Sequence, residues 1–316
     1  MKDNEKERHS MSSNQLPTLL GSATAGMIGR FFCHPLDTIK ARLQANSTLR
    51  PSQTIMSQLH LQAAFNLTHW KGLYRGIGVS LLGSAPATCL YMTSYEMSKK
   101  TLVGIESFRQ HPSFLYLGAG MIAEAFSCVL WVPIDVIKER MQVQVPPQDA
   151  SKNMRKTYYR NTLDAVQTIA RTERLGGLYK GYFATLFSFG PFSALYFMFY
   201  ENAKAFAQKQ LDLQELPAHY TLGSAAVAGA MASFLTNPLD LIKLRLQVQR
   251  VYTIEEAPTA YHGIVDGLTR VIRTEGVLAL YKGAGARVAF HAPSTAITMS
   301  LFESCRQVFA SLLNAS

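Results

Sequence analysis

The chain predicts an all-α membrane protein in which six transmembrane helices form three pseudo-threefold repeats, with short helices lying on the membrane surface. Three observations predict it. A Pro-x-Asp-x-x-Lys motif returns three times, an apolar run rich in small residues precedes each copy, and a second long apolar stretch follows each copy.

The motif reads Pro35-Leu-Asp37-Thr-Ile-Lys40, Pro133-Ile-Asp135-Val-Ile-Lys138 and Pro238-Leu-Asp240-Leu-Ile-Lys243, at intervals of roughly one hundred residues. The runs before it are LLGSATAGMIGRFFCH, YLGAGMIAEAFSCVLWV and YTLGSAAVAGAMASFLTN. Small residues at such spacing let helices approach closely within a bilayer. Past each proline a polar-apolar pattern continues to Gln44, Gln142 and Gln247, which predicts a helix kinked at the proline, not ended by it. Asp and Lys stand three apart in every copy and so share one helix face.

After a polar connector comes a second phrase, Leu73-Tyr74-Arg75-Gly76, Leu178-Tyr179-Lys180-Gly181 and Leu280-Tyr281-Lys282-Gly283. The apolar helix that follows carries Pro86, Pro191 or Pro293. It closes in Tyr95-Glu96-x-x-Lys99, Tyr200-Glu201-x-x-Lys204 or Phe302-Glu303-x-x-Arg306. Amphipathic stretches in the connectors, Asn161 to Ala170 and Gly263 to Ile272, suit surface helices. The first connector is less regular, with Gln58 to Phe65 in the same role. The chain divides into a flexible tail, 1–15, and repeats 16–106, 107–211 and 212–316 of one integral membrane domain.

Composition agrees. A mean hydropathy of +0.04 fits helices that face lipid on one side and a wet cavity on the other. The formal charge of +10 admits nucleic acid, an anionic membrane surface or an acidic ligand. The basic residues are spread out and carry no nucleic-acid-binding signature, so solvated loops and membrane rims account for them and no nucleic-acid partner is expected. Cys33, Cys89, Cys128 and Cys305 lie singly, without metal-ligand spacing. The first fifteen residues form neither a secretory signal nor an Arg-rich transit peptide. No P-loop, HExxH, GxSxG or convergent His-Asp-Ser set occurs, so no enzyme, no cofactor and no resident metal is expected.

In their threefold phase these phrases resemble the mitochondrial carrier family over nearly the whole chain. The resemblance implies a solute transporter of the inner mitochondrial membrane that works as a monomer by alternating access, with both termini on the intermembrane-space side. It implies that Asp37 pairs with Lys138, Asp135 with Lys243 and Asp240 with Lys40 to close a matrix gate, braced by Gln44, Gln142 and Gln247. Glu96, Lys99, Glu201, Lys204, Glu303 and Arg306 would close a cytoplasmic gate, braced by Tyr95 and Tyr200; Phe302 lacks the hydroxyl. A channel or proton-leak protein could use the same bundle but needs no two complete rings, so exchange is expected over uniport.

The resemblance also implies cardiolipin at Arg75-Gly76, Lys180-Gly181 and Lys282-Gly283, where a helix N-terminus receives a lipid phosphate. The acid-Gly pair that begins this phrase in the family is kept as Glu275-Gly276. It is half kept as Glu173-Arg174 and absent at Thr68-His69.

For the substrate, the family's paired positions on the even helices correspond to Gly83-Ser84, Ser188-Phe189 and Phe290-His291. Ser188-Phe189 matches neither the Arg-bearing nor the Gly-aliphatic class. The candidate substrate contacts are Arg30, Ser84, Glu124, Ser188, Phe189, Arg287 and His291, with Cys128 and Ser233 nearby. Arg30 alternatively forms a salt bridge with Glu124, His291 is alternatively a hydrogen-bonded core residue, and Arg287 alternatively lines only the matrix-side mouth. Arg30 with Glu124 and the Ser84-Ser188 surface suits a zwitterion such as an amino acid or derivative. Arg30 with Arg287 and His291 suits a carboxylate or phosphate. Pro191 to Phe197 is similar to the S-adenosylmethionine, glutathione and metal-ion branches, which stay open.

Overall fold

The computed structural model describes residues 24, 26–45, 70–106, 112–144, 158–211, 217–249, 261–290, 294 and 308. Every element among them is helical. In order they are α1 (26–45), a single turn α2 (Trp70–Leu73), α3 (Ile77–Val103), α4 (Pro112–Val143), α5 (Thr162–Leu178), α6 (Tyr182–Leu211), α7 (Ala218–Leu235), α8 (Asn237–Val248), α9 (Ile264–Glu275), a 3-10 stretch (Val277–Tyr281) and α10 (284–290).

By length and apolarity alone, two described helices can cross a membrane, Leu115–Val143 and Tyr182–Gln210. The pair His219–Leu235 and Asn237–Val248 makes a third if taken as one bent span. The helix α1 is described from residue 26 and contains Arg30, Asp37, Lys40 and Arg42, while α3 ends in Glu96, Lys99 and Lys100. In α1 the charges lower the apolarity; in α3 the charge-free stretch 77–95 is diluted instead by its Gly, Ser, Thr and Pro residues.

The three motif prolines differ in what they do to their helices, and the expected kinked but unbroken helix is not found at the third. A proline removes one backbone hydrogen bond and crowds the preceding turn. Pro35 and Pro133 lie inside continuous helix, whereas before Pro238 the rod breaks between α7 and α8 with a 65° bend.

Two surface helices seat apolar faces against the motif-bearing helices α4 and α8. Ala165 and Ile169 of α5 pack with Ile137, Met141 and Tyr159, and Val271 of α9 packs with Leu241, Ile242, Ala279 and Leu280. Asn161 Oδ1 caps α5 by accepting from the Asp164 N–H at 2.8 Å. The expected surface helix at Gln58 to Phe65 lies outside the described residues.

The glycines of the Tyr-basic-Gly phrase set the bundle's closure. Gly76, Gly181 and Gly283 have φ of 80°, 79° and 78°, the left-handed region that favours glycine. Each also lies against the motif-bearing helix of the next repeat, α4, α8 and α1 in turn. A Cβ on Gly76 would fall 3.1 Å from the Lys138 carbonyl oxygen, on Gly181 2.9 Å from Gln247 Cγ, and on Gly283 2.8 Å from Gln44 Cγ. The third repeat thereby touches the first, and the three repeats form a closed ring.

Candidate functional site

At one end of the bundle the three motif helices α1, α4 and α8 converge, and their charged faces meet on the axis. Lys138 Nζ lies 2.9 Å from Asp37 Oδ2, Lys243 Nζ 3.0 Å from Asp135 Oδ2, and Lys40 Nζ 2.8 Å from Asp240 Oδ2. All six side chains are 13–17% exposed, so each charge is held chiefly by its partner and not by water.

The glutamines one turn on are fully buried. Gln142 Nε2 donates to Asp37 Oδ2 at 3.3 Å and to Thr38 Oγ1 at 3.1 Å, and Gln44 Nε2 donates to Asp240 Oδ2 at 3.3 Å. Gln247 differs from the expected brace: its Nε2 donates to Thr185 Oγ1 at 3.4 Å, not to Asp135.

Two further features of this end escaped the motif reading. Two residues beyond each motif lysine stands an arginine, and each reaches the backbone of the next motif helix. Arg42 Nε donates to the Gln142 carbonyl at 3.1 Å, Arg140 Nε to that of Gln247 at 2.9 Å, and Arg245 Nε to that of Gln44 at 3.4 Å. Arg140 also binds both oxygens of Glu173, at 2.7 and 3.0 Å, and Arg245 both oxygens of Glu275, at 2.5 and 3.1 Å. Burial pushes both carboxyls up, but the hydrogen bonds and charge from Arg140 with Lys180, and from Arg245 with Lys282, outweigh it and hold both below the ordinary carboxylate range. The threefold arginine was visible in the sequence as a repeat position. Arg42, in the repeat without an acid at this place, donates instead to the Gly72 carbonyl at 2.9 Å.

The second feature is Arg287. It is 6% exposed, its Nε lies 3.4 Å from Asp240 Oδ2, an ion-pair distance without hydrogen-bond alignment, and its Nη1 donates to the Ser233 carbonyl at 3.0 Å. The structure thus attaches this substrate candidate to the ring. Its repeat equivalents, Ser80 and Thr185, carry no charge, so no periodicity could have marked it.

Above the ring, Arg30 donates to Ser80 Oγ at 3.3 Å, and its guanidinium lies 4.7 Å from the centre of the Trp131 ring. Glu124 accepts from Ser127 Oγ at 3.4 Å and from the Cys128 thiol at 3.5 Å. No ion pair joins Arg30 to Glu124, and neither has an oppositely charged partner within 4 Å among the described residues. Glu124 and Trp131 are two turns apart on one face of α4, about 10 Å along its axis. Phe189 meets Tyr91 edge-on at 6.3 Å, whereas Ser84 and Ser188 donate to backbone carbonyls of their own helices. His291 lies outside the described residues.

At the opposite end, Glu96 and Glu201 are exposed, and no ion pair links Glu96, Lys99, Glu201 or Lys204 among the described residues. Tyr95 stacks on Tyr91 at 6.2 Å, Tyr200 on Tyr196 at 6.1 Å, and Lys99 lies over Tyr116 at 5.1 Å. Glu303 and Arg306 lie outside the described residues. Of the basic residues of the lipid phrase, Lys180 pairs with Glu173 at 2.9 Å and Lys282 with Glu275 at 2.8 Å, while Arg75 binds the Tyr158 hydroxyl.

Three repeats of paired helices closed around buried axial charges define a membrane transport protein. A family model described as mitochondrial carrier protein matches residues 12–106, 109–211 and 214–312, and the chain belongs to the mitochondrial carrier family. It is 33% identical to Mitochondrial substrate carrier family protein E of Dictyostelium discoideum, over 98% of this chain and 100% of that protein. It is 32% identical to a probable chloroplastic S-adenosylmethionine carrier 2 of Arabidopsis thaliana, over 93% of this chain and 74% of that protein. To Mitoferrin-2 of Homo sapiens it is 30% identical, over 90% of this chain and 75% of that protein. Members of the family are transporters of small molecules, not enzymes, and mitochondrial membranes are their usual setting.

Proposed function

We propose that the chain exchanges a small zwitterionic metabolite, an amino acid or a derivative of one, across the inner mitochondrial membrane by alternating access. The observation that carries the reading is the pair Arg30 and Glu124. A charge inside a membrane span is costly without a partner or water, and the bundle above the ring holds one of each sign, both without an ion-pair partner among the described residues. A solute with a carboxylate for Arg30 and a cation for Glu124 completes both. Their separation favours an extended derivative over a compact amino acid. Tyr91, near Glu124, with Tyr95 and Phe189 packed against it, offers aromatic faces to a planar group, which supports an S-adenosylmethionine-like solute as the first one to test.

The three Asp–Lys pairs serve as the matrix gate, closed here. Glu96, Lys99, Glu201 and Lys204, with Glu303 and Arg306, serve as the cytoplasmic gate, whose described members stand apart. Separating the Asp–Lys pairs strips all six charges of these partners, Asp240 alone keeping a cation in Arg287. The solute offsets this by binding best in the occluded intermediate, which makes exchange obligatory. The protein works as a monomer with both termini on the intermembrane-space side. The backbone N–H groups at Gly76, Gly181 and Gly283 hold cardiolipin phosphates.

The test is uptake of S-adenosylmethionine, amino acids and dicarboxylates into proteoliposomes, with and without the same solute inside. One zwitterion exchanges, R30A abolishes its uptake, and E124Q weakens it at least tenfold. Equal rates into empty and loaded vesicles refute exchange, and unchanged uptake by R30A refutes the site.

A further inference from the structure

Beneath the Asp–Lys ring the three motif helices form a plug around the axis. Ala41, Ala45, Val143, Leu244 and Val248 make its apolar cluster. These residues lie one and five positions beyond the motif lysines. Five of the six such positions are therefore apolar, and the sixth is Glu139, equivalent by repeat to Ala41 and Leu244.

Glu139 is 8% exposed, and its Oε2 has no hydrogen-bond partner. The charged groups that face it are Asp135 and Lys138 from its own helix α4, Lys40 from α1 and Lys243 from α8. The three lysines are each engaged by an aspartate at 2.8–3.0 Å, so Glu139 is a fourth carboxyl set against three committed cations. The glutamine tier offers it no help as an anion. Gln44, Gln142 and Gln247 spend their N–H donors on other groups, and their Oε1 atoms are buried without partners. Glu139 Oε2 is thus one of the buried polar atoms at this end that have no partner, as are the three glutamine Oε1 atoms. A buried carboxylate without a donor bears the full cost of its charge, whereas the carboxylic acid carries no charge.

We propose that Glu139 is a proton site built into the matrix gate, so that closing the Asp–Lys ring takes up one proton and opening it releases one. The inference rests on the reading of the ring as a gate. When the ring opens, water reaches the plug and hydrates the carboxylate, and the acid gives its proton to the solution on that side. When the ring closes, the carboxylate binds a proton from the same solution. No proton crosses the membrane. The pH on the ring's own side sets how often the gate stands open, with alkaline solution favouring the open state.

The test places a reporter in the plug. Ala45, fully buried beneath the ring, is replaced by cysteine in a background where Cys33, Cys89, Cys128 and Cys305 are serine. Maleimide labelling of the purified carrier is followed between about pH 5.5 and 8.5 in A45C and in A45C/E139Q. The ratio of the two rates cancels the ionisation of the reporter thiol. One proton per closure makes that ratio rise by up to about tenfold per pH unit where the site titrates. A45C/E139L, which installs the third repeat's residue, gives the same pH dependence of the ratio and serves if the glutamine variant does not fold.

A ratio that stays flat overturns the proton site. A ratio that follows sodium or potassium and not pH overturns it in favour of a bound cation. A45C/K138A distinguishes failure of the gate itself: it labels faster at every pH if the ring is the barrier. Labelling that stays slow overturns the gate and the proton site together.

Discussion

Arg174 is the only non-glycine residue with positive φ among the described residues, at φ 57° and ψ −161°. It occupies the position held by Gly276, at φ 86° and ψ 165°, in the next repeat. That region of backbone space is accessible essentially to glycine alone, and holding another residue there costs about 1–3 kcal/mol. The backbone is pinned on one side by Glu173, whose two oxygens bind Arg140, and on the other by the packed helix start. The Arg174 side chain is exposed and makes no described contact, so R174G removes the strain without losing an interaction. Glycine returns about 0.4–1 kcal/mol of that gain as unfolded-state entropy. The net stabilisation is about 1–2 kcal/mol, which for a chain of this size raises the melting temperature by roughly 1.5–3 °C. The assay is thermal unfolding of the purified carrier in detergent, with R174A as the control that removes the charge and keeps a Cβ. R174G rises and R174A stays within about 1 °C of the parent. An equal rise in both variants, or none in R174G, refutes the strain argument.

Two further outcomes follow from the same end of the bundle. G181A forces a left-handed backbone onto alanine and drives its Cβ to 2.9 Å from Gln247 Cγ. It lowers stability by at least about 1–2 kcal/mol, read as a fall in melting temperature. Acid should also loosen the surface helices. The Glu173 and Glu275 carboxyls lie below their unfolded range, so their stabilisation is fully present above about pH 4.3 and is lost as pH falls through the folded values. Melting profiles from about pH 7 to 3.5 show this loss in the parent and a flattened one in E173Q/E275Q. An unchanged acid limb in the double variant would falsify it.

The Asp–Lys geometry was legible before any coordinates because the same three residues recur in phase, and a recurrence of charge inside apolar helices leaves few arrangements that satisfy every group. Arg140 and Arg245 are equally periodic, but an arginine near a helix end reads as a solvated residue until its burial is known. Arg287 and Glu139 could not be found that way, for each stands where its two repeat equivalents carry no charge. Arg30 was visible as an intramembrane charge. That it meets Ser80 and Trp131 in place of Glu124 depends on how α3 and α4 pack beside α1, which no spacing along the chain specifies.

The contact of Gly283 with Gln44, together with the pair Asp240–Lys40, joins the last repeat to the first. A chain that has emerged only through its second repeat holds Asp37 and Lys138 as partners but leaves Lys40 and Asp135 with none, buried in a membrane where both are costly. Assembly therefore has a built-in checkpoint. A partial bundle of one or two repeats carries unpaired charge that marks it as unfinished, and only the arrival of the third repeat silences both ends at once.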